Sequence, residues 1–182
     1  TGALYLPTSS PFSAYNASQF RAGGATNGSI GTATVTYTGS GTATLTYTIN
    51  GTSGSKSMVR QPFATDDGQP KLLVNDMWWG GISENGWGIN IAQQGRVLFP
   101  VWYTYNAQGN ATWFGVPGGT WNGNVFTGDI YTATSSAWLG VQYTAANFTV
   151  TKVGTMTLTF LDQSNAIMTY TVNNLTQTKA IT

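Results

Sequence analysis

Thr32-Ala33-Thr34-Val35-Thr36-Tyr37-Thr38 is followed by Gly39-Ser40-Gly41 and then by Thr42-Ala43-Thr44-Leu45-Thr46-Tyr47-Thr48-Ile49. In both runs every second residue is apolar or aromatic, and threonine fills the places between. Successive side chains of a strand leave opposite faces, so a period of two predicts a strand with one covered face. Threonine, being β-branched, favours the same backbone. The intervening glycines supply the positive φ that a short hairpin loop needs. The stretch therefore predicts an antiparallel hairpin with one threonine face and one apolar face.

The hairpin is written twice. Ile30-Gly31-Thr32-Ala33-Thr34-Val35-Thr36-Tyr37 lies on Val153-Gly154-Thr155-Met156-Thr157-Leu158-Thr159-Phe160, 123 positions further along. At the same offset residues 45–50 lie on 168–173, and Lys56 lies on Lys179. Upstream, Thr1-Gly2-Ala3-Leu4-Tyr5 and Thr8-Ser9-Ser10 match Thr127-Gly128-Asp129-Ile130-Tyr131 and Thr134-Ser135-Ser136. Residues 60–182 then form one complete repeat unit, and residues 1–59 the C-terminal half of another. A half unit does not bury its apolar face alone. It packs within the chain, is completed by a neighbouring chain, or belongs to a longer repeat protein, and the sequence leaves all three open.

Residues 60–126 read as a meander with strands at 87–93, 96–105 and 111–116, and Asn122-Gly123 is a turn leading into a strand at 125–131. The second hairpin joins 155–161 to 166–172 through a turn at 162–165. A period of 3.6 is not found, although 13–21 suits one helical turn. The expected fold is all-β and antiparallel, a meander, sandwich or barrel. The 96–105 strand is apolar on both faces, with Val97, Phe99, Val101 and Tyr103 on one and Leu98 and Trp102 on the other. It is either central and covered on both sides or it shows aromatics to a partner. Pro100 within it lacks a ladder donor, which points to an edge or a bulge.

Composition narrows the chemistry. Charged residues are 7% of the 182, against about 25% in an ordinary soluble domain. The formal charge is +1, so there is no basic field to draw nucleic acid or anionic lipid. The chain has 0 His and 0 Cys. That removes a Ser-His-Asp triad, a thiol nucleophile, disulfides, and His or Cys metal ligation. No cofactor is expected. The longest apolar run, at 97–103, is too short to cross a bilayer. The start, without Met or a charged-then-apolar leader, reads as a mature or trimmed product. A Cys-free, charge-poor chain rich in Thr, Asn and Gly suits a secreted or cell-surface bacterial protein.

Trp78, Trp79, Trp87, Trp102, Trp113 and Trp121 all lie in the meander segment. Flat aromatic faces beside amides and a carboxylate are how β-modules hold sugars. Trp78, Trp79, Trp87, Trp102 and Trp113, with Glu84 and Asn85, are the candidate glycan-binding residues. The competing reading makes most of these tryptophans core residues with satisfied N–H groups. Being adjacent, Trp78 and Trp79 point to opposite faces of a strand, so one of them is a candidate for exposure. The threonine array resembles an ice-binding face, but a solvated face with cross-strand Thr pairs explains it as well. Of the 6 carboxylates only Asp76 and Glu84 flank the Trp pair. A glycosidase would need two opposed ones, and a catalytic role is not expected. Asp66-Asp67-Gly68 reads as a turn and as a weak candidate for Ca²⁺. Asn-x-Ser/Thr sites, for example at Asn16 and Asn147, are compatible with glycosylation.

Trp78-Trp79, Glu84-Asn85-Gly86-Trp87-Gly88, Gln94-Gly95, Trp102-Tyr103-Thr104-Tyr105-Asn106-Ala107-Gln108-Gly109-Asn110 and Trp113 together resemble an uncharacterised Trp/Gly-rich repeat domain of secreted and surface proteins of proteobacteria. The resemblance covers 71–131 best. It implies an extracellular location and a fold style, and brings no activity or catalytic residues with it.

The expectation is a non-catalytic extracellular structural protein, a self-assembling subunit of a surface layer, sheath or filament. Its partner is itself, joined by strand donation around Tyr5 and around Thr176, Lys179 and Ile181. Glycan binding through tryptophan platforms, with polysaccharide as partner, is the alternative.

Overall fold

A computed structural model describes residues 1–64, 68, 70, 72–137 and 139–182, and these form two antiparallel sheets. The first contains β1 (Gly2–Leu4), β2 (Gly31–Gly39), β3 (Thr42–Ile49) and β4 (Thr52–Val59), in that order. The second has nine strands: β5 (Asp76–Trp78), β6 (Gly88–Gln94), β7 (Val97–Tyr105), β8 (Ala111–Gly115), β9 (Thr120–Asn122), β10 (Val125–Thr134), β11 (Thr149–Phe160), β12 (Ala166–Val172) and β13 (Leu175–Ile181). Its order is β13-β12-β11-β10-β8-β7-β6-β5, with β9 also paired to β10. The fold is thus all-β, as the alternation predicts, and the 13–21 stretch contributes only short 3-10 turns at Phe12–Ala14 and Ala17–Gln19.

The large sheet curls into a half-barrel whose edges touch. Trp79 and Thr182 exchange both backbone hydrogen bonds, at 3.1 and 3.0 Å. Inside, Ile89, Ile91, Leu98 and Trp102 of the meander face Ile130, Met156, Leu158, Met168 and Tyr170, and none is more than 2% exposed. Each such side chain contributes about 1.5–3 kcal/mol by leaving water. Side chains fill the interior: a cavity of about 10 Å³ beside Trp102 and Thr104 has room for no more than a water molecule.

Pro100 does not mark an edge. β7 runs between β6 and β8, with Pro100 opposite Ile91. The Pro100 carbonyl accepts from Val116 N–H at 2.9 Å, while the Val116 carbonyl accepts from Gly118 N–H at 2.9 Å. β8 therefore leaves the ladder at the point where a ring nitrogen has nothing to donate. The outer face of this strand is partly covered, because Phe63 packs on Phe99 with ring centroids 5.8 Å apart.

The two sheets share a register. Gly31, Ala33, Val35 and Tyr37 of β2 oppose Ile49, Tyr47, Leu45 and Ala43 of β3. In β11, Gly154, Met156, Leu158 and Phe160 oppose Val172, Tyr170, Met168 and Ala166 of β12. Every pair is displaced by 123 positions, and so are Leu45↔Lys56 and Met168↔Lys179 in the next ladder. A Cβ on Gly31 would fall on the Thr48 carbonyl oxygen, and one on Gly154 would fall on that of Thr171. Only glycine fits this crossing of two strands.

The loop between β1 and β2 leaves the small sheet and lies across the half-barrel. Phe12 meets Trp102, Phe114 and Tyr170 edge-on, at centroid distances of 5.5, 5.6 and 6.3 Å. Tyr15 stacks on Tyr105 at 6.2 Å and donates its hydroxyl to the Asn85 carbonyl at 2.6 Å. Gln177 Nε2 donates to the Ser13 carbonyl at 3.0 Å. The small sheet is pinned to the half-barrel through this plug.

Candidate functional site

Two surfaces carry features that packing alone does not explain. The first is the inner face of the small sheet. Its register puts Val35, Tyr37 and Lys56 where the half-barrel has Leu158, Phe160 and Lys179. Leu158 is 0% exposed and Phe160 1%, whereas Val35 is 48% and Tyr37 83% exposed. The residue types of the two faces are alike, and their burial differs most at these two positions, whereas Ala43 and Tyr47 are buried as Ala166 and Tyr170 are. Tyr37, Ala43 and Met58 border an open groove of about 330 Å³ on this face. Tyr47 shields itself differently from its counterpart. Its ring lies over Gly54, where Tyr170 instead donates its hydroxyl to Gln177 Oε1.

The second surface is an aromatic row on the outside of the half-barrel. Tyr103 of β7 is directly opposite Trp113 of β8, and they are 48% and 47% exposed. On the other flank of Tyr103 stands Gly88, which has no side chain, and beyond it Trp79, 37% exposed. Met77 is exposed on the next strand. The row offers flat faces of the kind that sugar rings stack on.

The candidate glycan-binding residues do not stay together. Trp78, Trp87 and Trp102 are buried, and the first two satisfy their indole N–H groups internally. Trp78 donates to the Val74 carbonyl at 3.0 Å and Trp87 to Glu84 Oε2 at 3.0 Å. Neither these two nor Trp102, stacked among Phe114, Tyr170 and Phe12, can serve as platforms. Of the adjacent pair it is Trp79 that reaches the surface. Trp113 does so too, and Tyr103, which is not among the candidates from composition, joins it. The signal for Tyr103 was the phase of its strand: Trp102 and Tyr103 alternate, so a buried Trp102 sends Tyr103 outward. Asn85 is exposed away from this row, in the turn that receives Tyr15.

Glu84 is committed to structure. Oε1 accepts from Lys179 Nζ at 2.6 Å while Oε2 holds Trp87. Asp76 is an exposed strand residue that caps its neighbour's N–H, Met77 N to Oδ1 at 2.7 Å. Asp129 pairs with Lys152 at 2.8 Å, and Asp162 accepts from Ser164 N–H, which lowers its pKa. Asp66 and Asp67 lie outside the described residues. Burial pushes the Tyr105 phenol up to about 12 and raises that of Tyr170 further.

The proposed joining residues divide in the same way. Tyr5, just past β1, is 55% exposed, and Thr176 is exposed with its hydroxyl on Thr171 at 2.8 Å. The side chains of Lys179 and Ile181 face the interior, the one paired with Glu84 and the other 3% exposed, while β13 itself is the last strand in the sheet order. The threonine face resolves into cross-strand hydroxyl pairs such as Thr48 with Ser53 at 2.8 Å and Thr169 with Thr178 at 3.0 Å. Among the described residues, no helix is long and apolar enough to cross a membrane. No protein-family model, curated protein or solved structure matches the chain.

Proposed function

We propose that this protein is a non-catalytic, self-assembling structural subunit of an extracellular bacterial surface layer, sheath or filament, and that the open small sheet is its joining surface. One observation carries the reading: Val35 and Tyr37 are 48% and 83% exposed at positions whose counterparts in the half-barrel are 0% and 1% exposed. Apolar residues arranged on one face and left in water mark an interaction site. The scarcity of charge, 7% of residues, removes the repulsion that would oppose close packing. Sedimentation velocity with negative-stain microscopy tests it. Association should rise with concentration in the native chain and fall at least tenfold in Val35→Asp and Tyr37→Asp. A chain that stays monomeric at millimolar concentration removes the reading.

The row Trp79, Tyr103 and Trp113 favours a second reading, adhesion to polysaccharide. In affinity electrophoresis through soluble polysaccharides, Trp113→Ala and Tyr103→Ala should lose retardation while keeping the native near-UV spectrum. Retardation unchanged by both substitutions removes the platform.

A further inference from the structure

We infer that the small sheet is the acceptor half of a second half-barrel, and that its occupant is a tryptophan-rich meander of the β5–β8 type carried by another repeat unit. This rests on the reading of the sheet as a joining surface, though not on self-association, since a second copy of this chain has its own meander buried in the same way. The half-barrel itself is the template. There, a sheet of the same register is covered mainly by β5–β8, with Phe12 of the plug and Trp121 of β9 at its margins. The chain's own meander is already used, since Trp78, Ile89, Ile91, Leu98 and Trp102 are at most 2% exposed against β10–β13. The occupant is therefore an additional meander.

Charge complementarity selects the same partner. Lys179 reaches inward to Glu84, the carboxylate that β5–β8 carries between its first two strands. Lys56 holds the same register position on the small sheet, opposite Leu45 as Lys179 is opposite Met168. A purely apolar partner would strand that ammonium group, at a cost in desolvation. A meander with a glutamate at the Glu84 position would pair it.

The edges are also prepared. In the half-barrel the meander attaches at two places, Gly115 opposite Tyr131 and Trp79 opposite Thr182. Tyr131 corresponds to Tyr5, since Gly2↔Ala33 and Gly128↔Met156 are matched pairs. Thr182 corresponds to Val59, one residue past Met58 as Thr182 is one past Ile181. Tyr5 and Val59 are 55% and 74% exposed. Both attachment points stand open.

The test adds the occupant. A second copy of residues 60–126 is joined ahead of Thr1 of the full chain, and amide exchange is followed at 32–58. The added meander should slow exchange there by roughly 100-fold, toward that of 155–181. Lys56→Glu should abolish most of the slowing, and Glu84→Lys in the added copy should restore it. An added copy of 1–59 should give no slowing. Unchanged exchange with the added meander overturns the inference, as does equal slowing by added 1–59. Sedimentation of the unextended chain keeps the two readings apart. Self-association with an unprotected small sheet in the extended chain sinks this inference alone, and a monomeric chain whose sheet is protected by the added meander sinks only self-assembly.

Discussion

At the scale of single residues, strand phase separates the buried Trp78 and Trp102 from the exposed Trp79 and Trp113, and internal acceptors hold the indole N–H groups of Trp78 and Trp87. Composition shows that they cluster in 60–126 and suggests sugars. It does not show which ones point inward, because a continuous apolar strand such as β7 reads alike on both faces. Glu84 illustrates the limit. Its partner Lys179 is 95 residues away in the chain, and no local pattern announces the pair. The buried phenols give a pH test. Tyr105 and Tyr170 are each 1% exposed, and Tyr105 donates to the Gly86 carbonyl at 2.7 Å. The folded protein keeps the Tyr105 proton up to about pH 12, whereas an unfolded chain loses it near 10. Stability from these groups is therefore full below about pH 10 and falls as pH rises from there toward 12. Denaturant titrations at a series of alkaline pH values should show that decline. A flat profile from pH 9 to 12 contradicts the burial of these hydroxyls.

At the scale of elements, the alternation of threonine with apolar residues located β2, β3 and β12 almost to the residue, and only the second half of β11, which already begins at Thr149. β4 escaped because Thr52-Ser53-Gly54-Ser55-Lys56-Ser57 has no apolar period, although Asn50 and Gly51, at φ 48° and 79°, form the hairpin turn that leads into it. β1 and β5, of three residues each, are too short to show a period. They are strands because longer neighbours recruit them. The matched glycines make the equivalence of the two hairpins measurable. Gly154→Ala, whose Cβ would meet the Thr171 carbonyl, should cost the half-barrel about 2–4 kcal/mol. Gly31→Ala makes the same clash with Thr48 but should leave the half-barrel within about 0.5 kcal/mol of native, loosening only the small sheet. Chemical denaturation followed by tryptophan fluorescence reads the half-barrel alone, since residues 1–59 contain no Trp. Equal losses in both variants would mean that the two sheets unfold as one.

At the scale of the molecule, the plug makes the half-barrel depend on a distant stretch of chain. Phe12→Ala removes a ring that touches Trp102, Phe114 and Tyr170, and should lower half-barrel stability by about 1–3 kcal/mol although no strand is altered. An unchanged midpoint would make the loop a passive drape. The shared register has a further consequence, in the order of synthesis. Residues 1–59 leave the ribosome before 60–126, and 127–182 come last. When the tryptophan-rich meander first emerges, the sheet of matching register already made is β2–β4. That sheet is expected to hold the meander provisionally, like a chaperone encoded in the client's own chain. β11–β13 are then expected to displace it, since Met156 offers the meander a larger apolar side chain than Ala33 does at the matching position. Val35→Asp should then reduce the soluble yield of cell-free synthesis while leaving the finished half-barrel as stable as before.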